Sequence, residues 1–363
     1  MRVVHVTSWN ERCGIATYAA RLTRELAAIG LEQAVVARTP RSEPVALSDV
    51  HVRAVFDAKR PAEAAARVLA STGDADVVHL QFNFGVVPPR MLLAVVPALV
   101  RRGARVVVTL HAVTAPADPL FFARSLPALR GATLVLLGVA RWPLESIARR
   151  FVDIARLPHG VPTFAEVDVM TARARLGVAF DPVVSTSGFA LAHKRFDRLV
   201  SALPALARRF PNVGLVGACT RYPSPSSDRV IEELDALARR LGVADRVALS
   251  HDFLDDDALA LRLFAGDVIA LPYGRTRELA SGAAAVALAT GRRLAVSDAR
   301  CFDAVRAFTE PLGDDVAGDL ARLLAVRETE TQAAARRAAL DAEHGYAAVA
   351  RRLVELYRAR RSP

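Results

Sequence analysis

Short runs of β-branched and apolar residues recur along the chain, separated by stretches of helical periodicity, and no other feature narrows the fold as far. The first six runs cover residues 2–7, 33–37, 76–80, 104–110, 133–137 and 153–157. Each is too short for a stable helix and apolar at consecutive positions. Both faces of such a strand must therefore be covered, which is the mark of a parallel sheet flanked by helices. A second series follows Pro182, at 183–187, 213–216, 246–249, 268–271 and 293–297, with helices such as 196–210 and 227–241 between them. The polar segment 158–181, opening PHGVPT, separates the two series and serves as a hinge. The fold class is α/β, with one domain in residues 1–160 and another in 161–343. The remainder, 344–363, turns at Gly345 and carries Val349, Leu353 and Leu356 at helical spacing, ending in a cationic tail.

The 363 residues, 52% of them apolar, suffice for two cores. No run of about 18 apolar residues is present to span a bilayer. The opening MRVVHVTSWNERCG reads as strand and turn rather than a cleavable signal, so a cytoplasmic chain is expected. Cys13, Cys219 and Cys301 are too scattered for a disulfide framework or a zinc site. The net charge of +10 is concentrated in residues 1–160, which hold 20 basic against 12 acidic residues. Arg101, Arg102, Arg105, Arg149 and Arg150 would suit a phosphate-bearing acceptor or the anionic face of a membrane. Nucleic acid is not an expected partner, since no basic run is interleaved with aromatics.

Chemistry concentrates at strand ends, where open parallel sheets bind ligands. Cys13 and Gly14 follow the first strand, His111 follows VVVTL, Lys194 follows VVSTSGFALAH and Glu278 follows VIALPY. In LPYGRTRELASGAAAVALATGRRLAVSD, Ser281, Gly282 and Ala283 open an apolar helix. Their amide hydrogens, with the helix dipole behind them, form a seat for phosphate oxygens. Glu278 precedes that seat and is placed for sugar hydroxyls. Asp255, Asp256 and Asp257 read as an N-cap and first helical turn rather than metal ligands. His159, His5 and His79 read as structural.

Taken in order, these motifs resemble the GT-B glycosyltransferases of the large retaining group called family 4, over nearly the whole length. WNERCGIATYAARLTREL is similar to that family's glycine loop and first helix, VTLHA to its histidine-bearing strand end, and LPHGVP to its linker. GFALAHKRFDRLVSALPAL resembles its second-domain glycine element, and the stretch from Leu271 to Asp298 its E-x7-E region. The resemblance implies two Rossmann-like parallel-sheet domains facing each other across a cleft, the first receiving the acceptor and the second the donor. The C-terminal helix 344–363 would cross back to brace the first domain.

It also implies transfer of a sugar, with retention, from a nucleotide-diphosphate sugar to a glycan or lipid-linked acceptor, as in bacterial polysaccharide assembly. Gly14 would approach the donor diphosphate or the acceptor. Lys194, with the amides of Ser281, Gly282 and Ala283, would hold the donor. His111 would contact the sugar or acceptor near the reacting carbon, and Glu278 would fix the donor sugar. No metal and no cofactor are expected. Two positions depart from the pattern. Phe189 stands where the family carries an arginine, with Arg195, Arg275 and Arg277 as replacement phosphate charges, and Val286 stands eight residues after Glu278, in place of a second glutamate. Those two losses leave a second reading open, a non-catalytic nucleotide-sugar-binding protein partnering another transferase. A Rossmann dehydrogenase is excluded by the lack of G-x-G-x-x-G after the first strand.

Overall fold

A computed structural model describes the chain apart from residues 42, 44, 46–47, 114–119, 139–141 and 360–363. The tip of the cationic tail thus lies outside the described residues. The chain forms two compact units: Met1–Gly160 with Arg277–Ala280 and Tyr346–Pro363, and Val161–Thr276 with Ser281–Gly345. Among the described residues, no helix is long and apolar enough to cross a membrane.

In the first unit seven strands make one sheet: β1 (Arg2–Ser8), β2 (Glu32–Arg38), β3 (Val52–Phe56), β4 (Val77–Phe82), β5 (Arg105–Leu110), β6 (Thr133–Leu137) and β7 (Asp153–Leu157). Their order is β3-β2-β1-β4-β5-β6-β7, with every neighbouring pair parallel. Alternation of side chains across the sheet explains the continuous apolar runs. Val4, Val78 and Val106 enter a core with Val68, Val95 and Leu99 from the helices Pro61–Ser71 and Pro89–Arg101. Their neighbours Val3, Val77 and Val107 face the other way, onto Leu22 of the helix Gly14–Ala28 and Leu353 of the C-terminal helix Tyr346–Arg358. The C-terminal helix is therefore part of this unit's core.

The second unit repeats the plan with β8 (Val183–Phe189), β9 (Gly214–Thr220), β10 (Val247–Ser250), β11 (Val268–Leu271), β12 (Arg293–Val296) and β13 (Glu310–Pro311). The order is β10-β9-β8-β11-β12-β13, again all parallel. In both sheets the chain order reverses beside the first strand, between β1 and β4 and between β8 and β11. That reversal opens a crevice at the carboxyl ends of those strands, where α/β sheets take their ligands.

Three details differ from the sequence reading. β3 and β13 are edge strands absent from it. β3 leaves most of its residues half-exposed, so its apolar signal is diluted, while β13 is two residues long and ends in a proline that cannot donate to a ladder. The second difference is Arg277–Ala280, which groups with the first unit, not the second. Lastly, the C-terminal helix starts at Tyr346, after a preceding helix Glu330–His344, so the division falls after Gly345.

Candidate active-site residues

In the first unit His111 and Glu278 lie together because a short antiparallel bridge joins Ala112 to Glu278. The Leu279 amide donates to the His111 carbonyl at 3.4 Å, and the His111 amide donates to the Phe82 carbonyl at 2.9 Å, tying His111 to the end of β4. Residues far apart in sequence are thus fixed at the carboxyl edge of the sheet. The His111 ring meets Tyr18 edge-on, with centroids 5.2 Å apart, and its Nε2 lies 2.8 Å from Gln81 Oε1. Burial, reinforced by the neighbouring His159, pushes its pKa down to about 3. His111 is therefore a neutral imidazole at neutral pH.

His159, at the end of β7, packs on the same tyrosine with centroids 5.1 Å apart. Its pKa is pushed down to about 4, chiefly by burial, with the Gly160 carbonyl and Glu278 acting upward and Arg21 downward. Tyr18 is joined from the C-terminal helix by Tyr346, 5.8 Å away between ring centroids. Gly14 opens the first helix, is exposed, and has nothing within 4 Å of where a Cβ would stand. Its value is an open approach to the backbone, since no positive φ demands glycine there.

The second unit gathers the anion-binding candidates around Tyr273, a residue that the sequence does not single out. Lys194 is only 6% exposed, and its Nζ sits 4.0 Å from the centroid of the Tyr273 ring. Ser281 caps the helix Gly282–Ala289, its Oγ accepting from the Ala284 amide at 3.2 Å and donating to Tyr273 Oη at 3.4 Å. Tyr273 therefore links the buried ammonium to the helix N-terminus. Gly188 completes the packing: at φ +150°, a Cβ there would meet Tyr273 Oη at 3.5 Å and Lys194 Cδ at 3.9 Å. The one available signal for Tyr273 is its place two residues past β11, beside the reversal of strand order. Gly282 is exposed and Ala283 half-buried at the first turn of the helix.

The replacement charges separate. Arg195 holds a left-handed backbone at φ 53° and pairs with Asp197 at 3.0 Å, while Arg275 and Arg277 are exposed and lie in different units. Phe189 forms an aromatic corner, edge-on to Tyr222 at 5.3 Å and stacked on Phe253 at 6.4 Å between centroids. Val286 is 6% exposed in a core with Leu263, Ile269 and Leu294. Asp255 caps its helix by accepting from the Ala258 amide at 2.7 Å. Among the described residues, no cluster of His, Cys, Asp and Glu could hold a metal ion.

No protein-family model matches the sequence, and no curated protein gives a significant match. Solved structures do. Anabaena HepE in complex with UDP is similar with a TM-score of 0.71 at 15% identity, over 98% of this chain and 99% of that one. Sucrose-phosphate synthase from Thermosynechococcus elongatus gives 0.72 at 17% identity, over 99% and 98%. A glycosyltransferase from Rickettsia africae gives 0.68 at 13% identity, over 98% and 97%. At these identities the likeness concerns the fold, and with both sheets in the order described, the chain has the GT-B fold of two Rossmann-like parallel-sheet domains.

Proposed function

We propose that the chain is a retaining, metal-independent glycosyltransferase that moves a sugar from a nucleotide-diphosphate sugar to a glycan or lipid-linked acceptor. One observation carries the reading: a buried lysine and a serine-capped helix N-terminus converge on Tyr273 at the point where the strand order reverses. Cleaving the anomeric bond places positive charge on the sugar and negative charge on the departing diphosphate, and fixed donors aimed at the latter lower the barrier more than any other single device. Lys194 supplies a full charge in low dielectric, and the amides of Gly282 and Ala283 supply oriented dipoles. Support from known structures is that HepE has been solved with UDP-glucose, and with UDP and glucose.

Glu278 and His111 are the candidate sugar-side groups. Glu278 accepts hydrogen bonds from donor hydroxyls, and its charge favours a cationic transition state. His111, neutral, exchanges hydrogen bonds with sugar or acceptor without repelling that cation. Exposed Arg101, Arg102, Arg149 and Arg150 offer a contact for anionic lipid when the acceptor is lipid-linked.

The test is donor turnover by the isolated chain, after a thermal-shift screen of nucleotides and nucleotide-sugars. A ligand at about 100 times its Kd stabilises by roughly 2.7 kcal/mol, well within reach of such a screen. Transfer that survives EDTA supports the metal-independent mechanism, and transfer lost to EDTA and restored by magnesium or manganese refutes it. Nucleotide-sugar binding without transfer, across a broad acceptor panel, points to the binding-module reading that Phe189 and Val286 keep in view.

A further inference from the structure

Behind His111, the interior of the first unit's sheet contains a hydrogen-bonded chain that packing alone does not require. Tyr357 Oη, on the C-terminal helix, lies 2.7 Å from His79 Nδ1. The other ring nitrogen, His79 Nε2, is 2.7 Å from Thr109 Oγ1 and 3.2 Å from Gln81 Nε2. At its far end the same amide presents Oε1 to His111 Nε2 at 2.8 Å. His79 and Gln81 are fully buried and two residues apart on β4, hence on one face of the strand.

With the Gln81 amide nitrogen toward His79 and its oxygen toward His111, donor and acceptor chemistry sets the hydrogens along this chain. The Gln81 NH2 group can only donate, and so requires a bare nitrogen at His79 Nε2, which also receives the Thr109 hydroxyl. His79 then carries its hydrogen on Nδ1 and donates to Tyr357. The Gln81 carbonyl can only accept, so His111 carries its hydrogen on Nε2 and keeps the lone pair on Nδ1. Turning the amide over would set its oxygen against the His79 lone pair, unless His79 changed tautomer as well. That double change would let the Tyr357 hydroxyl donate to His79 Nδ1 but take the nitrogen acceptor from the buried Thr109 hydroxyl. Each arrangement thus satisfies one of the two hydroxyl hydrogens, and the placement of the amide, its nitrogen toward His79, selects the first.

We infer that Gln81 is a positioning residue that holds His111 as the Nε2–H tautomer, its amide aimed by His79, Thr109 and the C-terminal helix through Tyr357. The importance of that tautomer rests on the proposed role of His111 at the sugar, but its existence does not. Histidine acts through whichever nitrogen its neighbours leave bare, and a second partner commonly decides which one that is. Here the basic atom is Nδ1, and the deciding contact originates in the last helix of the chain.

The test is NMR of the full chain labelled with 15N-histidine at neutral pH, with the His111 signals assigned by their loss in His111→Asn. The wild type should show a protonated Nε2 and a bare Nδ1. Gln81→Leu should move both nitrogens toward averaged tautomer values, and lower kcat by at least about fivefold with donor KM within about twofold. Tyr357→Phe leaves the sheet untouched, so it carries the test if Gln81→Leu does not fold. Removing the acceptor of His79 Nδ1–H should reverse His79 and Gln81 and shift His111 toward the Nδ1–H form. A wild-type His111 protonated on Nδ1, or His111 nitrogens unmoved in the folded variants, overturns the inference. Because the tautomer is read without substrate, a chain inactive on every donor would defeat the proposed function and leave the tautomer assignment standing.

Discussion

Lys194 places its ammonium 4.0 Å from the centre of the Tyr273 ring, in a site where only 6% of the lysine is exposed. A cation held over an aromatic face at low dielectric presents a concentrated positive charge, which is the state needed to meet a diphosphate. Lys194→Ala should therefore lower kcat/KM at least about tenfold, equal to about 1.4 kcal/mol of transition-state stabilisation. Tyr273→Leu, which removes both the ring under Lys194 and the partner of Ser281, should lower it as well. Steady-state kinetics on the two variants decide the matter, and an unchanged kcat/KM in Lys194→Ala removes it from the donor site.

Glu278 separates an enzyme from a nucleotide-binding module. Its bridge to Ala112 holds its backbone, so Glu278→Gln keeps the shape while replacing a charged acceptor whose hydrogen bonds are worth roughly 1.5–3 kcal/mol. Transfer should fall at least about tenfold, with affinity for the free nucleoside diphosphate within about threefold of wild type. Kinetics beside calorimetry on both proteins provide the comparison. Equal losses in transfer and in diphosphate affinity make Glu278 a structural carboxylate.

Four histidines packed into the first unit tie its stability to pH. Burial pushes the pKa of His5 and His159 down to about 4, that of His111 to about 3, and that of His79 well below its ordinary value. In the unfolded chain each titrates near about 6.5, so the unfolded state binds more protons below that pH. Their contribution is complete above about pH 6.5 and is lost as pH falls toward the folded values, with a slope of up to about 1.4 kcal/mol per pH unit for each histidine. Urea unfolding at pH 7.5, 6 and 5 should show a falling midpoint, and His111→Gln should flatten the dependence. A midpoint constant from pH 7.5 to 5 contradicts the burial argument.

Sequence legibility follows the physics of each element. Central strands such as Thr133–Leu137 and Val268–Leu271 are legible to the residue because both of their faces are buried, which leaves a run of apolar residues with no competing signal. The edge strand Val52–Phe56 has no such run. The same contrast applies to the site. Lys194 and His111 follow strands and stand out by residue type, so position and chemistry agree. Tyr273 is an aromatic among apolar neighbours, and only the fold reveals that it bridges Lys194 and Ser281. Gln81 is hidden for a similar reason, since one amide inside VVHLQF carries no pattern until β5 places His111 against it.

Val286 supplies the last prediction, because sequence resemblance and packing pull in opposite directions there. By resemblance its position belongs to a second glutamate for ribose hydroxyls, so that restoring Glu would strengthen nucleotide binding. In this chain the side chain is 6% exposed and packs with Leu263, Ile269 and Leu294. A carboxylate there would lose its hydration without gaining a partner, and an uncompensated buried charge costs about 3–5 kcal/mol. Val286→Glu should therefore lower the unfolding free energy by about 3 kcal/mol at neutral pH, recover part of that loss on protonation near pH 5, and leave nucleoside diphosphate affinity no tighter. Urea unfolding at pH 7 and 5, with calorimetric binding of the diphosphate, measures all three. A variant that is as stable as wild type and binds the diphosphate more tightly would show that this helix face reaches the ribose after all.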